Sequence, residues 1–175
     1  EEGGYLTNVG GMMVVFDLFS GGGIVRKLLD KVGIIPKAMV VAENDEDIRK
    51  AVAGEYGYSA DGRQWCYDKT GCPAIYLQDV WNLFRELRNE NARVIREAIG
   101  FAMEEEEHKY LIIGGSPCPD LSISGHMKGK IGFCGEQSVH YHVFAYVIAA
   151  IQEYDDKAQI FVTFENAGSM QPVHK

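Results

Sequence analysis

Short, continuously apolar runs alternate along this sequence with segments whose apolar residues recur at helical spacing. The apolar run at residues 12–16 is followed by the glycines at 21–23 and then by a segment with helical spacing at 24–32. A glycine and a proline end this helix, and residues 38–42 form a second apolar run. Apolar strands joined by helical crossovers are typical of a parallel sheet covered on both faces. This alternation therefore predicts an α/β protein with a doubly wound, mostly parallel sheet.

The rest of the chain continues this pattern within one domain of ordinary size, residues 1–175. The predicted elements are a helix at 46–56, a loop at 57–73, a strand at 74–77, a broken helix at 81–107, a strand at 110–113, a helix at 138–154 and a strand at 160–164. The sequence thus predicts five strands in all.

Composition excludes several classes of protein. The chain has 17 Lys and Arg against 25 Asp and Glu, a formal net charge of -8, which excludes a basic nucleic-acid-binding arm. Since no apolar run approaches the roughly 20 residues that span a bilayer, we expect no membrane segment. The four cysteines lack paired CxxC motifs, and the five histidines lack metal-ligand spacing. We therefore expect reduced thiols, an intracellular protein and no metal.

Ligands of such sheets bind at the carboxyl ends of the strands, where several polar residues of this chain fall. The dinucleotide fingerprint G-x-G-x-x-G fails, because a motif that starts at Gly21 has Arg26 in its third glycine position. An adenosine cofactor without phosphates fits better, with Glu43 accepting from the ribose hydroxyls and Asp79 accepting from the adenine amino group. Two other interpretations stay open, which are a tight turn without a ligand at residues 21–23 and a solvent-facing acid at Glu43.

Cys118 is the sharpest candidate for chemistry. It follows the strand at 110–113 in GGSPCPDLS, where Pro117 and Pro119 keep its backbone out of regular structure. This setting favours a nucleophile over a buried core cysteine. Glu165 ends the last strand, where we expect partial desolvation to raise its proton affinity, so that the protonated carboxyl group can donate to a substrate ring nitrogen. A salt-bridged acid is the alternative for Glu165.

Three motifs carry a family resemblance. FDLFSGGG at 16–23 resembles the first motif of the cytosine-5 DNA methyltransferases, GGSPCPDLS at 114–122 is similar to their Pro-Cys nucleophile motif, and FENAGSM at 164–170 is similar to their Glu-Asn-Val motif. The order and spacing also agree, and the segment looks closest to the de novo-type branch. The resemblance implies a Rossmann-like, S-adenosylmethionine-dependent methyltransferase fold.

The resemblance also implies roles for individual residues. Cys118, next to Pro117, would attack carbon 6 of a flipped-out cytosine, Glu165, next to Asn166, would hold the ring, and carbon 5 would take the methyl group of S-adenosylmethionine. Ser122 and residues 125–137 would close over the base. The implied cofactor-binding residues are Phe16, Asp17, Phe19, Ser20, Gly21 and Gly23 on the methionine side, Glu43 and Asn44 at the ribose, and Asp79 and Val80 at the adenine.

The sequence departs from the family pattern in three respects. Ala167 stands where the family usually has Val, Gly22 and Gly23 replace a more varied pair, and neither the Arg-containing motif nor a target-recognition region appears before Lys175. We therefore expect a catalytic and cofactor-binding domain truncated before the target-recognition region, or a second chain that supplies the rest. The expected partner is cytosine-containing duplex DNA, in the cytoplasm of a bacterial or phage-infected cell or in a eukaryotic nucleus. RNA cytosine-5 methylation and a non-catalytic or split subunit are the alternatives.

Overall fold

The computed structural model describes residues 13–59, 64–89, 92–115 and 140–165. The strands are β1 (Met13–Leu18), β2 (Ala38–Ala42), β3 (Cys66–Tyr67), β4 (Pro73–Leu77), β5 (Lys109–Gly115) and β6 (Gln159–Glu165). The helices are α1 (Ile24–Lys31), α2 (Glu46–Tyr56), α3 (Val80–Asn89), α4 (Arg93–Ala102) and α5 (Tyr141–Tyr154).

The strands form one six-stranded sheet in the order β3-β4-β2-β1-β5-β6. All neighbours pair in parallel except β3, which pairs antiparallel with β4. The chain runs outward from β1 to β2 and β4, then returns to the other side of β1 for β5 and β6, so strand order reverses at β1. This confirms the predicted α/β class with a mostly parallel sheet flanked by helices.

Continuous apolar sequence produces strands that are buried on both faces. Every residue of β2 is buried, and β1 is buried from Val14 to Leu18. One face packs on α3, α4 and α5 through residues that include Phe16, Val40 and Ile112. The other packs on α1 and α2 through residues that include Val41 and Tyr76. Consecutive strand residues point to opposite faces, so β1, β2, β4 and β5 contribute to both cores, whereas β6 packs only on the first through Ile160 and Phe164.

Most predicted elements are confirmed, with shifted ends and one addition. The predicted helix at 46–56 matches α2, and the predicted break in the helix at 81–107 separates α3 from α4 next to Ala92, whose φ of 54° is left-handed. The loop predicted at 57–73 was wrong in part, because it contains β3. A two-residue strand carries too little alternation to be recognised in a sequence. The described part of the chain therefore has six strands where five were predicted.

The apolar face predicted for α1 is only partly correct. Val25 and Leu29 pack against the core, but Ile24, Leu28 and Val32 are exposed. Arg26 takes a buried position instead, with its Nη2 2.9 Å from Asp68 Oδ2 and donating to Thr70 Oγ1 at 2.5 Å. A buried charge requires such partners, and these come from a distant part of the chain.

Among the helices that the structure describes, none is long and apolar enough to cross a bilayer.

Candidate functional site

The carboxyl ends of the five parallel strands meet at one edge of the sheet. A cavity of about 160 Å³, here called the strand-end cavity, opens at this edge. The residues that line it are Phe19, Ala42, Glu43, Asn44, Asp79, Val80 and His140. Five of them, Phe19, Glu43, Asn44, Asp79 and Val80, are predicted cofactor-binding residues. Sites that enclose a whole drug-sized ligand occupy roughly 300–1,000 Å³, so this cavity fits one end of a ligand.

The glycine turn after β1 positions Phe19 in an uncommon backbone conformation. Phe19 has a φ of 63°, and Gly21 and Gly23 have φ values of 54° and 70°. A left-handed φ is unfavourable for a bulky residue and indicates that the surroundings impose it. Ser20 N–H donates to the Ala42 carbonyl oxygen at 2.9 Å, which ties the turn to the end of β2. The turn therefore brings an aromatic ring to the cavity.

Glu43 connects the glycine turn with the segment after β2. Its Oε2 accepts from Gly21 N–H at 2.6 Å, and its Oε1 accepts from Asp45 N–H at 2.9 Å. A carboxylate has about four acceptor positions, so each oxygen of Glu43 retains capacity for a ligand donor. Glu43 thus lines the cavity as predicted and also organises the turn, a structural role that the sequence argument did not foresee.

Asp79 uses one carboxylate oxygen to cap a helix, and its second oxygen is not part of that cap. Its Oδ1 accepts from Trp81 N–H at 3.0 Å and so caps the N-terminus of α3. Its other oxygen has no part in that cap. Val80, the first residue of α3, is buried beside it in the cavity wall.

Asp17 is buried behind the turn without full hydrogen bonding. It is 2% exposed, and three nearby polar atoms lack a partner among the described residues: Asp17 Oδ2, Ser20 Oγ and Tyr76 Oη. Burial raises the pKa of Asp17 to about 7, an effect that the nearby Ser20 hydroxyl opposes and the charge on Glu43 reinforces. Phe16 is fully buried in the core, and neither Phe16 nor Asp17 lines the cavity.

Arg49 on α2 is a functional candidate that the sequence argument missed. Its Nη1 donates to the carbonyl oxygens of Glu43 at 3.0 Å, Asn44 at 2.7 Å and Gln78 at 3.1 Å. These carbonyls follow β2 and β4, so the guanidinium joins two strand ends beneath the cavity. The only sequence signal is a basic residue one turn into a helix that starts at a strand end, which is common in such folds.

His140 is the second missed residue. It lies just before α5, accepts from Trp81 Nε1 at its Nε2 at 2.7 Å, and contacts the Phe19 ring edge to face with centroids 5.7 Å apart. In the sequence, His140 is one of five histidines that lack metal-ligand spacing, and nothing else marks it. Its position in the cavity depends on contacts with two remote segments, which no local pattern indicates.

Part of the predicted catalytic site comes together at the ends of β5 and β6. Gly115 pairs with Glu165 in the ladder, and a Cβ on Gly115 would lie 2.6 Å from Glu165 Oε2. Glu165 therefore lies directly beside the residue that leads into the Pro-Cys motif. The expected desolvation of Glu165 was wrong, because this residue ends an edge strand and is exposed. Pro117, Cys118, Ser122, residues 125–137, Asn166 and Ala167 lie outside the described residues.

The chemistry of the cavity favours a neutral or cationic ligand with hydrogen-bond donors. Two carboxylates and two aromatic rings contribute to its wall, and none of its lining residues is Lys or Arg. A phosphate would meet two carboxylates and neither a Lys nor an Arg side chain from these residues. Within the described residues, no group of three or more His, Cys, Asp and Glu side chains could hold a metal ion. That the protein needs no metal stays a prediction.

Comparison with known proteins leaves the family as a prediction. No protein-family model matches the chain, and no curated protein matches it. The resemblance to the cytosine-5 DNA methyltransferases therefore depends on three sequence motifs, of which the first and the start of the other two lie in described parts of the chain.

Proposed function

We propose that this chain is the catalytic and cofactor-binding part of a methyltransferase that transfers a methyl group from S-adenosylmethionine to carbon 5 of cytosine in DNA. The observation that carries the proposal is that the first motif and the described starts of the other two, residues 114–115 and 164–165, lie at one edge of the sheet. The glycine turn and the strand-end cavity lie at the ends of β1, β2 and β4, and Glu165 lies beside Gly115 at the ends of β5 and β6.

The residues of the cavity fit an adenosine that carries no phosphate. Glu43 retains acceptor positions suited to ribose hydroxyls, and the second oxygen of Asp79 suits an exocyclic amino group. Phe19 offers a ring for stacking. Behind the turn, the unpartnered Asp17 Oδ2 and Ser20 Oγ suit an ammonium group, which supplies N–H donors and a positive charge. When bound, S-adenosylmethionine supplies an electrophilic methyl group.

The proposed reaction uses Cys118 and Glu165. The Cys118 thiolate forms a bond to carbon 6 of the cytosine, and the electron pair of the 5,6 double bond becomes available at carbon 5, which takes the methyl group. Glu165 holds nitrogen 3 and the amino group of the ring, which stabilises charge that develops during the addition. The methyl transfer leaves S-adenosylhomocysteine. Loss of the carbon-5 proton to water then restores the 5,6 double bond, and the bond between sulfur and carbon 6 breaks with its electron pair returning to the Cys118 thiolate. Because Glu165 is exposed, its carboxylate is accessible to a flipped-out cytosine ring.

Covalent trapping tests this proposal. The full chain is incubated with S-adenosylmethionine and with duplex DNA that carries 5-fluorocytosine, in which fluorine replaces the departing proton and stops the reaction at the adduct. We expect a covalent complex that resists denaturing electrophoresis, is absent with Cys118→Ala and persists with the control Cys66→Ala. A complex that persists with Cys118→Ala, or the absence of any complex, would contradict the proposal. Transfer of labelled methyl groups to unmodified duplex DNA and to tRNA, measured side by side, distinguishes the two nucleic acids.

A split or non-catalytic subunit is a second candidate, and the exposed edge of the sheet favours it. Phe161 and Val162 of β6 are about half exposed on opposite faces of the strand. A net charge of -8 also favours phosphate contacts from another chain. If a second chain is needed, trapping with 5-fluorocytosine DNA is expected only after that chain is added.

A further inference from the structure

His140 joins two walls of the strand-end cavity that come from distant parts of the chain. One wall is the turn after β1, which carries Phe19, and the other is the first turn of α3, which carries Asp79, Val80 and Trp81. The imidazole contacts Phe19 at 5.7 Å and Trp81 at 5.1 Å between ring centroids. The relative position of the two walls therefore depends on this side chain.

The hydrogen bond between Trp81 and His140 has a defined direction. An indole N–H can only donate, so His140 Nε2 is the acceptor in the bond of 2.7 Å from Trp81 Nε1. This requires the neutral tautomer of His140 with its proton on Nδ1. The bond is partly buried, where its loss would leave an indole N–H in apolar surroundings.

Each of the two rings that His140 contacts also packs against a further aromatic ring. Phe19 stacks on Phe144 of α5 with centroids 6.1 Å apart, and Trp81 meets Phe84 edge to face at 5.4 Å. Phe19 also has the left-handed φ of 63°, which persists only where neighbouring groups hold it. Removal of the imidazole would release both walls at once.

We infer that His140 is a positioning residue of this cavity. It holds Phe19 and Asp79 at the distance from each other that lets the adenine ring of the cofactor fit between them. The inference rests on the proposed function, because it names the part of the cofactor that the cavity receives. It also assigns a role to a residue outside the three motifs. Adenine suits the wall because it offers a flat face to Phe19 and an amino group to Asp79.

Trp81 provides a direct readout of this arrangement. The chain has two tryptophans, and Trp65 lies outside the cavity, where its indole donates to Glu97. In a Trp65→Phe parent, all tryptophan emission comes from Trp81. Trp81 does not itself line the cavity, but its indole is hydrogen-bonded to the lining residue His140. A ligand that contacts His140 is therefore expected to change the emission in a saturable manner, and the dissociation constant is measured independently by calorimetry with S-adenosylhomocysteine.

Three variants of this parent test the inference. We expect His140→Ala to weaken binding by about tenfold, the usual order for a lost hydrogen bond in a buried setting, and to shift the Trp81 emission before any ligand is added. His140→Gln is expected to bind within about threefold of the parent, because its amide oxygen can accept from the indole. The matched control His142→Ala, an exposed residue outside the cavity wall, is expected to bind as the parent does.

The outcomes separate the inference from the proposed function. If the parent binds and His140→Ala binds within about twofold of it, the inference is wrong while the proposed function stands. If the parent shows no binding, the proposed function fails and the inference falls with it. If His140→Ala does not fold, as judged by circular dichroism, Trp81→Phe decides by calorimetry, since it removes the donor and keeps a ring. An unchanged affinity in that variant would overturn the inference.

Discussion

At the scale of single residues, Asp17 is a buried acid that opposes folding when it is ionised. Burial raises its pKa from 3.8 to about 7, so between these values the folded chain holds a proton that the unfolded chain has lost. Unfolding then releases a proton, and rising pH favours unfolding. The contribution of Asp17 is therefore most favourable below pH 4, decreases by up to about 4 kcal/mol as pH rises to 7, and is constant above that.

Asp17→Asn removes this pH dependence because an amide does not ionise. We expect the free energy of unfolding of the variant, relative to that of the unmodified chain, to increase by about 1–3 kcal/mol between pH 5 and pH 8. Urea unfolding of both proteins at the two pH values measures it. We also expect the same substitution to weaken S-adenosylmethionine binding, because proteins commonly keep a destabilising buried group where their activity requires it. Equal differences at both pH values would contradict the prediction.

Asp79 allows its capping role and its proposed ligand role to be separated. Asn caps helices as well as Asp does, so Asp79→Asn is expected to keep the bond from Trp81 N–H and to change stability by less than about 0.5 kcal/mol. The amide N–H₂ would meet the adenine amino group donor to donor, and we expect about tenfold weaker binding of S-adenosylhomocysteine. Asp79→Ala should lose the same affinity and also about 1 kcal/mol of stability. Calorimetry and thermal unfolding measure the two effects, and an Asn variant that binds normally would exclude the ligand role.

At the scale of elements, the end of β5 depends on the absence of a side chain. A Cβ on Gly114 would overlap the carbonyl oxygen of Leu18, a backbone atom of the neighbouring strand. Gly114→Ala must therefore separate β1 from β5, and we expect it to lower the free energy of unfolding by at least about 2 kcal/mol. Gly100→Ala on α4 is the matched control, because nothing lies within 4 Å of its added Cβ.

The control is expected to gain stability by about 0.5–1 kcal/mol, since alanine favours a helix over glycine. Chemical denaturation of both variants tests the pair. If Gly114→Ala were as stable as Gly100→Ala, the close approach of β1 and β5 would be wrong.

The elements that the sequence predicted best have local signals at both ends. Helix α2 has the predicted bounds because Asp45 accepts from Asp47 N–H and Ile48 N–H at its start and Gly57 has a φ of 79° at its end. The face of α1 was wrong because helical spacing cannot reveal that Arg26 has its partner Asp68 far along the chain. Burial there follows from a tertiary contact, not from residue type.

The residues of the candidate site also fall into those that local sequence signals predict and those that depend on remote contacts. Glu43 and Asp79 could be predicted because each follows an apolar run, and the carboxyl ends of parallel strands share one edge. Arg49 and His140 could not, since their roles arise from hydrogen bonds to segments remote in sequence. The exposure of Glu165 was unpredictable for a related reason, as it depends on β6 being an edge strand.

At the scale of the whole molecule, the two edges of the sheet differ in what they present. One edge is the two-residue strand β3, whose Tyr67 is 73% exposed. The other is the seven-residue strand β6, with Phe161 and Val162 exposed at 52% and 47%. Long apolar edge strands promote pairing with other chains, whereas very short ones do not. The described part of the molecule is therefore asymmetric in its tendency to associate.

This asymmetry predicts that the chain associates through β6 as its concentration rises. Phe161→Lys places a charge on that edge and is expected to shift the sedimentation coefficient toward the monomer value, whereas Tyr67→Lys, the matched control on β3, is expected to leave the association unchanged. Cofactor affinity should be unaffected in both variants, because neither residue lines the strand-end cavity. Sedimentation velocity over a hundredfold concentration range measures the effect. If association persists with Phe161→Lys but is lost with Tyr67→Lys, the contact lies at the β3 edge instead. If a second chain suppresses association through β6, the β6 edge is the surface to which that chain binds.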